Sequence, residues 1–196
     1  MTLELRLLGG KKLKSPKGLE TRPTTSRVRE SLMNILRSKL IGCSWLDLFS
    51  GTGVIGCEVL QNGAAKVLAV EKDRKIANIS RENLLSMKSY LPDEKYVGVI
   101  QEDVIRFLEK GYDKINVEGF GKDNGFNFVY IDPPYLNKDI YEKTLQKLIR
   151  WNWVQEDSIV ICEHSSDFNI NHQSSWIEID KRFYGKSALL FLSPLN

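Results

Sequence analysis

Short apolar runs alternate along most of this chain with segments whose apolar residues recur at helical spacing, and that alternation limits the fold more than any other feature. The runs at 44–49, 66–70, 96–100, 126–131 and 158–162 read as strands. Between them, 54–60, 74–87, 104–108 and 140–151 read as helices. Strand and helix in turn imply a doubly wound, mostly parallel sheet. Two last strands are expected at 176–179 and 188–192. Their eight-residue link is too short for a crossover, so the pair must be antiparallel. The expectation is an α/β fold with a doubly wound, mostly parallel seven-stranded sheet and an antiparallel last strand.

Ahead of this pattern, residues 3–8 and 11–14 can pair as a small hairpin about Gly9-Gly10. Pro23-Thr24-Thr25-Ser26 offers helix-start chemistry. Val28, Leu32, Ile35 and Leu36 then fall on one helical face, with Arg27 and Arg29 off it. We therefore divide the chain into a hairpin-helix extension, 1–42, and a main domain, 43–196. The extension is basic. Residues 1–29 carry eight cations against Glu4 and Glu20, a net +6, whereas the other 167 residues sum to −3. A basic arm on a mildly acidic body is an electrostatic footprint for phosphate backbones, although a lysine-rich terminus is also an ordinary solvated surface. Cys43, Cys57 and Cys162 have no metal or redox spacing and read as buried thiols of a reducing compartment. No apolar run reaches membrane-spanning length, and the N-terminus lacks a signal-peptide core. Residues 111–125, with four glycines, are expected to form a surface loop.

The first core strand ends in Asp47-Leu48-Phe49-Ser50-Gly51-Thr52-Gly53-Val54-Ile55-Gly56. Gly51, Gly53 and Gly56 match the dinucleotide fingerprint, but Asp47 argues against a pyrophosphate there. A carboxylate at that point repels phosphate and attracts the ammonium and sulfonium of S-adenosylmethionine. Glu71 ends the second strand, where an acid can accept both ribose hydroxyls. Asp103 follows the third, within reach of an adenine amino group. Acids at successive strand ends are where doubly wound sheets bind ligands.

Asp132-Pro133-Pro134-Tyr135 follows the fourth strand. The prolines fix φ, remove two backbone donors and keep Asp132 out of the helical region. An exocyclic base amine is a poor nucleophile because its lone pair is delocalised into the ring. The Asp132 carboxylate and a backbone carbonyl can grip its two N–H groups and favour a pyramidal nitrogen, while Tyr135 stacks on the extruded base. Transfer then relies on positioning and electrostatics, with no metal and no covalent enzyme intermediate.

At these residues the chain resembles the class I (Rossmann-like) amino-methyltransferases. Arg22-Pro23-Thr24-Thr25-Ser26-Arg27-Val28-Arg29-Glu30, Asn34-Ile35-Leu36 and the terminal Tyr184-Gly185-Lys186-Ser187-Ala188-Leu189-Leu190 resemble segments of the RsmD family, bacterial 16S ribosomal RNA guanine-N2 methyltransferases. That resemblance implies that Asp47, Phe49, Ser50, Gly51, Gly53, Glu71, Lys72, Asp103 and Val104 hold S-adenosylmethionine. It implies that Asp132, Pro133, Pro134 and Tyr135 hold the target guanine, and that Lys11, Lys12, Arg22, Arg27 and Arg29 hold RNA. The implied partner is 16S ribosomal RNA or a small ribosomal subunit particle, in the cytoplasm. Four alternatives stand beside it, the least favoured being an NAD-dependent oxidoreductase, against which Asp47 argues. A DNA adenine or cytosine amino-methyltransferase shares Asp-Pro-Pro-Tyr but usually carries a large recognition insert. A protein glutamine methyltransferase leaves the basic arm without a purpose, and a non-catalytic RNA-binding protein has no need of Asp132.

Overall fold

The computed structural model describes residues 4–16, 24–91, 94–121, 125–134, 139–172 and 174–195. Its strands are β1 (Ser44–Leu48), β2 (Lys66–Glu71), β3 (Tyr96–Gln101), β4 (Phe126–Ile131), β5 (Val154–Ser165), β6 (Trp176–Tyr184) and β7 (Ser187–Pro194). They form one sheet in the order β3-β2-β1-β4-β5-β7-β6. The first five pair in parallel, and β7 runs antiparallel to both β5 and β6. The order reverses between β1 and β4. At such a switch point the connecting segments leave to opposite sides and open a crevice at the strand C-termini.

Helices α1 (Ser26–Leu36), α2 (Val54–Gln61) and α3 (Arg74–Tyr90) cover one face with Trp45, Phe128, Tyr130 and Ile161. Helices α4 (Val104–Glu109) and α5 (Asp139–Arg150) cover the other with Leu48, Val129, Ile131 and Cys162. The side chain of Thr25 caps α1 by accepting from the Val28 N–H. Leu32 and Leu36 then enter the same core as Trp45, together with Leu5, Leu7 and Leu13 of the extension. Burial of each leucine contributes about 1.5–3 kcal/mol. All three cysteines are buried and free.

Several boundaries differ from expectation. The expected hairpin is a single bridge, Arg6 to Lys12. Strands β5 and β6 are longer than their apolar runs. β7 pairs with Glu163, His164 and Ser165 at one end of β5, and with Asp180 to Tyr184 of β6. Strand β6 is a sheet edge and so tolerates charged residues that hide it from an apolar pattern. Segment 111–125 is not simply a surface loop. It contains a 3₁₀ turn (Tyr112–Lys114), and Tyr112 and Phe120 are buried against Phe126.

Arg29 also corrects the sequence reading. It is not free to hold RNA, because its side chain is 8% exposed and its Nη1 lies 2.6 Å from Glu58 Oε1 on α2. The same guanidinium donates to the Arg6 carbonyl at 3.0 Å, and the Leu8 N–H donates to Glu58 Oε1 at 2.9 Å. Burial raises the Glu58 carboxyl, while the Leu8 N–H and Arg29 pull it back. Breaking a buried pair strands a charge, whereas replacing both partners removes the need for either. Arg29→Ala is therefore expected to cost about 3–5 kcal/mol in denaturant unfolding. Arg29→Met with Glu58→Leu should recover most of that loss, and equal losses for the single and double variants would show that the pair is not the cause.

Candidate active site

The C-terminal edge of β1 turns through Phe49, which is held at φ 61°. A non-glycine residue there stores about 1–3 kcal/mol of backbone strain, and such strain clusters at functional turns. The Ser50 N–H is tied to the Val70 carbonyl at 3.0 Å, so the turn is braced against β2. Gly53, at φ 75°, begins α2, and a Cβ there would lie 2.6 Å from Ser80 Oγ. Over Gly51 the space is open: an added Cβ would meet nothing within 4 Å.

The three predicted cofactor acids lie at the ends of three adjacent parallel strands. Asp47 is 2% exposed, and its Oδ2 has no hydrogen-bond partner among the described residues. Burial pushes its pKa up to about 7, the Glu71 charge adds to this, and the Gly56 backbone opposes it. Glu71 is half-buried, with Oε2 accepting from the Gly51 N–H at 2.9 Å and Oε1 from the Asp73 N–H at 2.8 Å. Its pKa is also raised, by burial first. Each of those oxygens keeps a second lone pair for a ligand hydroxyl. Asp103 caps α4, its Oδ1 accepting from the Ile105 and Arg106 N–H groups, while Oδ2 lies 3.6 Å from the exposed Lys72 ammonium. Val104 is buried in the core, so its side chain is a wall rather than a polar ligand.

Asp132 follows β4 across the switch point, half-buried, with Pro133 buried and Pro134 exposed behind it. Thr24 Oγ1 donates to Asp132 Oδ2 at 3.4 Å. The Asp132 pKa stands well above the usual range because of desolvation, then Glu163 and then Asp47, with Thr24 opposing. Tyr135 and Arg22 lie outside the described residues. Sequence reasoning assigned no site role to Thr24, Tyr130 or Glu163. Two signals were available: Thr24 sits in the family-like segment, and Glu163 is an acid directly after the apolar run of β5.

The predicted RNA contacts divide. Lys11 donates to the Ser86 carbonyl at 3.0 Å and stands 4.1 Å over the Tyr90 ring. Lys12 pairs with Glu4. Arg27 is exposed and lines a groove of about 450 Å³ with Glu30, Ser31, Asn34, Ile35, Arg182 and Tyr184. That groove runs between α1 and edge strand β6, and α1 begins beside Thr24 and hence beside Asp132.

This arrangement fits S-adenosylmethionine. The buried, unpartnered Asp47 oxygen suits a cation, the opening over Gly51 leaves room for a ligand backbone, and Glu71 and Asp103 present acceptors farther along the edge.

A family model described as "Conserved hypothetical protein 95" matches residues 6–193. "Putative rRNA methyltransferase YlbH" of Bacillus subtilis is 30% identical over 162 residues, covering 82% of this chain and 80% of that protein. "Ribosomal RNA small subunit methyltransferase D" of Escherichia coli K12 is 29% identical, covering 82% of this chain and 74% of that protein. Among solved structures, "Putative methyltransferase yhhF from Escherichia coli" superposes with a TM-score of 0.77 at 26% identity, covering 97% of this chain and 98% of that one.

The Asp47 environment sets a pH dependence. Below about 7 this carboxyl is mostly protonated, and a cationic partner favours its ionised form, so binding releases a proton and acid opposes it. Affinity for S-adenosylhomocysteine, read by calorimetry, should weaken by up to about tenfold per pH unit below 7. Asp47→Asn should bind more weakly with a flat profile. A wild-type profile as flat as that of the variant would remove Asp47 from the ligand's amino group.

Proposed function

The chain belongs to the conserved hypothetical protein 95 family, the RsmD family of the sequence resemblance, and from that premise we propose that it transfers a methyl group from S-adenosylmethionine to the exocyclic N2 amine of a guanine in 16S ribosomal RNA. Its relatives' names support ribosomal RNA methylation as the activity. An exocyclic base amine as the methyl acceptor rests on Asp132, a carboxylate on a proline-fixed strand exit, one strand away from Asp47 across the switch point, while guanine and its N2 position are what the resemblance to the RsmD family implies. Action in the cytoplasm, on free RNA or a small-subunit particle, follows from that substrate. Among the described residues no helix is long and apolar enough to cross a membrane, and no cluster of His, Cys, Asp and Glu side chains is placed to hold a metal ion.

When bound, the cofactor supplies an electrophilic methyl group. The protein's part is placement. Asp47 pairs with the ligand ammonium, Glu71 accepts from ribose hydroxyls, and Asp103 offers Oδ2 to the adenine amine. The strained Phe49 turn, with Ser50, Gly51 and Gly53, shapes the floor. Asp132 accepts from one N–H of the target amine, and the carbonyls freed by Pro133 and Pro134 accept from the other, which turns the nitrogen lone pair toward the methyl donor. Tyr135 supplies a stacking face for the extruded base. Arg27 and Arg182, flanking Tyr184 in the α1–β6 groove, hold RNA leading to the site, together with Lys11, Lys12 and Arg22 of the arm.

The test is single-turnover methyl transfer to small-subunit ribosomal RNA or particles, with mapping of the modified nucleotide. Asp132→Ala should lower the rate by a factor of about 10² or more, the scale of losing one preorganised contact, while cofactor affinity is kept. Asp132→Asn keeps an acceptor oxygen and should lose less. Tyr135→Ala should cost about 1–3 kcal/mol in RNA engagement, with Tyr135→Phe mild. A folded, cofactor-binding Asp132→Ala protein with the wild-type rate, or a mapped product on a base other than guanine, would reject this reading.

RNA affinity should also fall steeply with salt, and Arg27→Ala combined with Arg182→Ala should reduce that slope by about one to two contacts' worth. An unchanged slope would remove the groove from the RNA path.

A further inference from the structure

Asp132 does not stand alone at the end of β4. Ile131 pairs with Cys162 of β5, so Asp132 and Glu163 occupy the next position along these two strands. Tyr130 lies two residues before Asp132 and rises on the same face of the sheet. Its hydroxyl donates to Glu163 Oε2 at 2.5 Å. From α5, the Tyr141 hydroxyl donates to the Glu163 main-chain carbonyl at 2.6 Å. Glu163 is 3% exposed, and its neighbours along β5, Val160, Ile161 and Cys162, are wholly buried and apolar or thiol. Burying a carboxyl in such a strand is costly; the Tyr130 phenol fixes the carboxyl itself, and the Tyr141 phenol fixes the main chain that carries it. An acceptor for an amine N–H needs no second carboxyl behind it. A second carboxyl beside it makes it a stronger base, which suits a group that also takes a proton.

We propose that Glu163, locked by Tyr130 and Tyr141, is a positioning residue that works through Asp132, so that the carboxylate gripping the target amine also takes its proton. This rests on the reading above, in which Asp132 faces that amine. Once methylated, the nitrogen is cationic and must lose one proton. In the step assigned here, its N–H bond breaks, the electron pair stays on nitrogen, and the proton passes to an Asp132 oxygen. Release to water restores the carboxylate. An isolated aspartate is a weak base at neutral pH. The surroundings of Asp132 change this: desolvation comes first, Glu163 from β5 and then Asp47 from β1 add to it by opposing the negative charge, and Thr24 ahead of α1 opposes them. Tyr130 keeps its own proton, since burial and the Glu163 and Asp132 charges hold its pKa well above the usual range. It can therefore serve as a steady donor to Glu163.

The test follows the Asp132 carboxyl by carbon-13 NMR titration of the protein without substrate, with Asp132→Asn identifying the signal. In the wild type it should titrate above the ordinary aspartate range. Glu163→Gln keeps the shape and removes the charge, and should lower the titration by about one unit or more. The acid limb of the single-turnover rate should move with it, while S-adenosylhomocysteine affinity and unfolding stability stay near wild type. Tyr130→Phe, which removes the donor that fixes Glu163, should move the Asp132 titration in the same direction. It decides the question by the same measurement if Glu163→Gln does not fold. An Asp132 titration unmoved in a folded variant overturns the role of Glu163 and leaves Asp132 as an acceptor only. Methylation by Asp132→Asn at the wild-type rate instead overturns the underlying placement of Asp132, whatever the titration does.

Discussion

Five parallel strands end on one edge of the sheet, where the buried carboxyls of Asp47 and Glu163 flank the half-buried Asp132. That crowding governs the rest of the site. Desolvation raises both Asp47 and Asp132; the Glu71 charge adds to it at Asp47, and the Glu163 and Asp47 charges add to it at Asp132. A protein selected for stability alone would replace these groups with apolar residues of similar size, as their surroundings in the two core clusters already are. Their presence fits the proposed function, in which cationic groups would arrive at the same edge: an ammonium at Asp47, and at Asp132 a nitrogen that turns cationic only as it is methylated. The edge thus carries electrostatic strain that a bound cation would relieve.

The extension bears on this edge from the side. Arg29 joins the Arg6 carbonyl and Glu58, and Glu58 in turn takes the Leu8 N–H, so one ion pair ties the N-terminal hairpin, α1 and α2 together. Helix α2 opens from the glycine turn, and Thr24, just ahead of α1, donates to Asp132. A segment that reads as an appendage in charge and pattern is therefore coupled to both halves of the site. Leu5, Leu7 and Leu13 share a core with Trp45, which fixes the coupling in apolar contact as well.

What was legible in the sequence follows from what leaves a periodic trace. Strands β1 to β4 are bounded by turns and apolar on both faces, and they fell within a residue or so of expectation. Asp47, Glu71, Asp103 and Asp132 can be picked out as candidates because polar residues at the ends of apolar runs stand out. Strand β6 hid its length because an edge strand needs no apolar outer face. Glu163 hid because β5 continues past its apolar run, held by β7 rather than by its own side chains. Tyr130 passed as core, which it also is, since it stacks on Trp45 at 6.1 Å. Arg29 was misread because helical spacing places a residue on a flank but does not say whether a partner waits there. Its partner, Glu58, lies on the next helix, at a distance in sequence that no local pattern spans.

The two arginines of α1 show what decides between structure and recognition. Arg27 and Arg29 are two residues apart, identical in chemistry and both off the apolar stripe. Arg29 meets a carboxylate away from water, where separating the charges costs several kcal/mol, so no phosphate in solution can compete for it. Arg27 is exposed beside a groove. The lysines of the arm fall between these cases. Lys12 and Lys14 pair with Glu4 and Glu82 at the surface, with 62% and 69% of their side chains exposed. Surface pairs of that kind are worth about 0–1 kcal/mol, less than a polyanion gains by releasing counterions at several cations together. Among the described residues of the arm, these surface ties leave Lys12 and Lys14 exchangeable, and the cation withdrawn from exchange is Arg29, which the fold has buried.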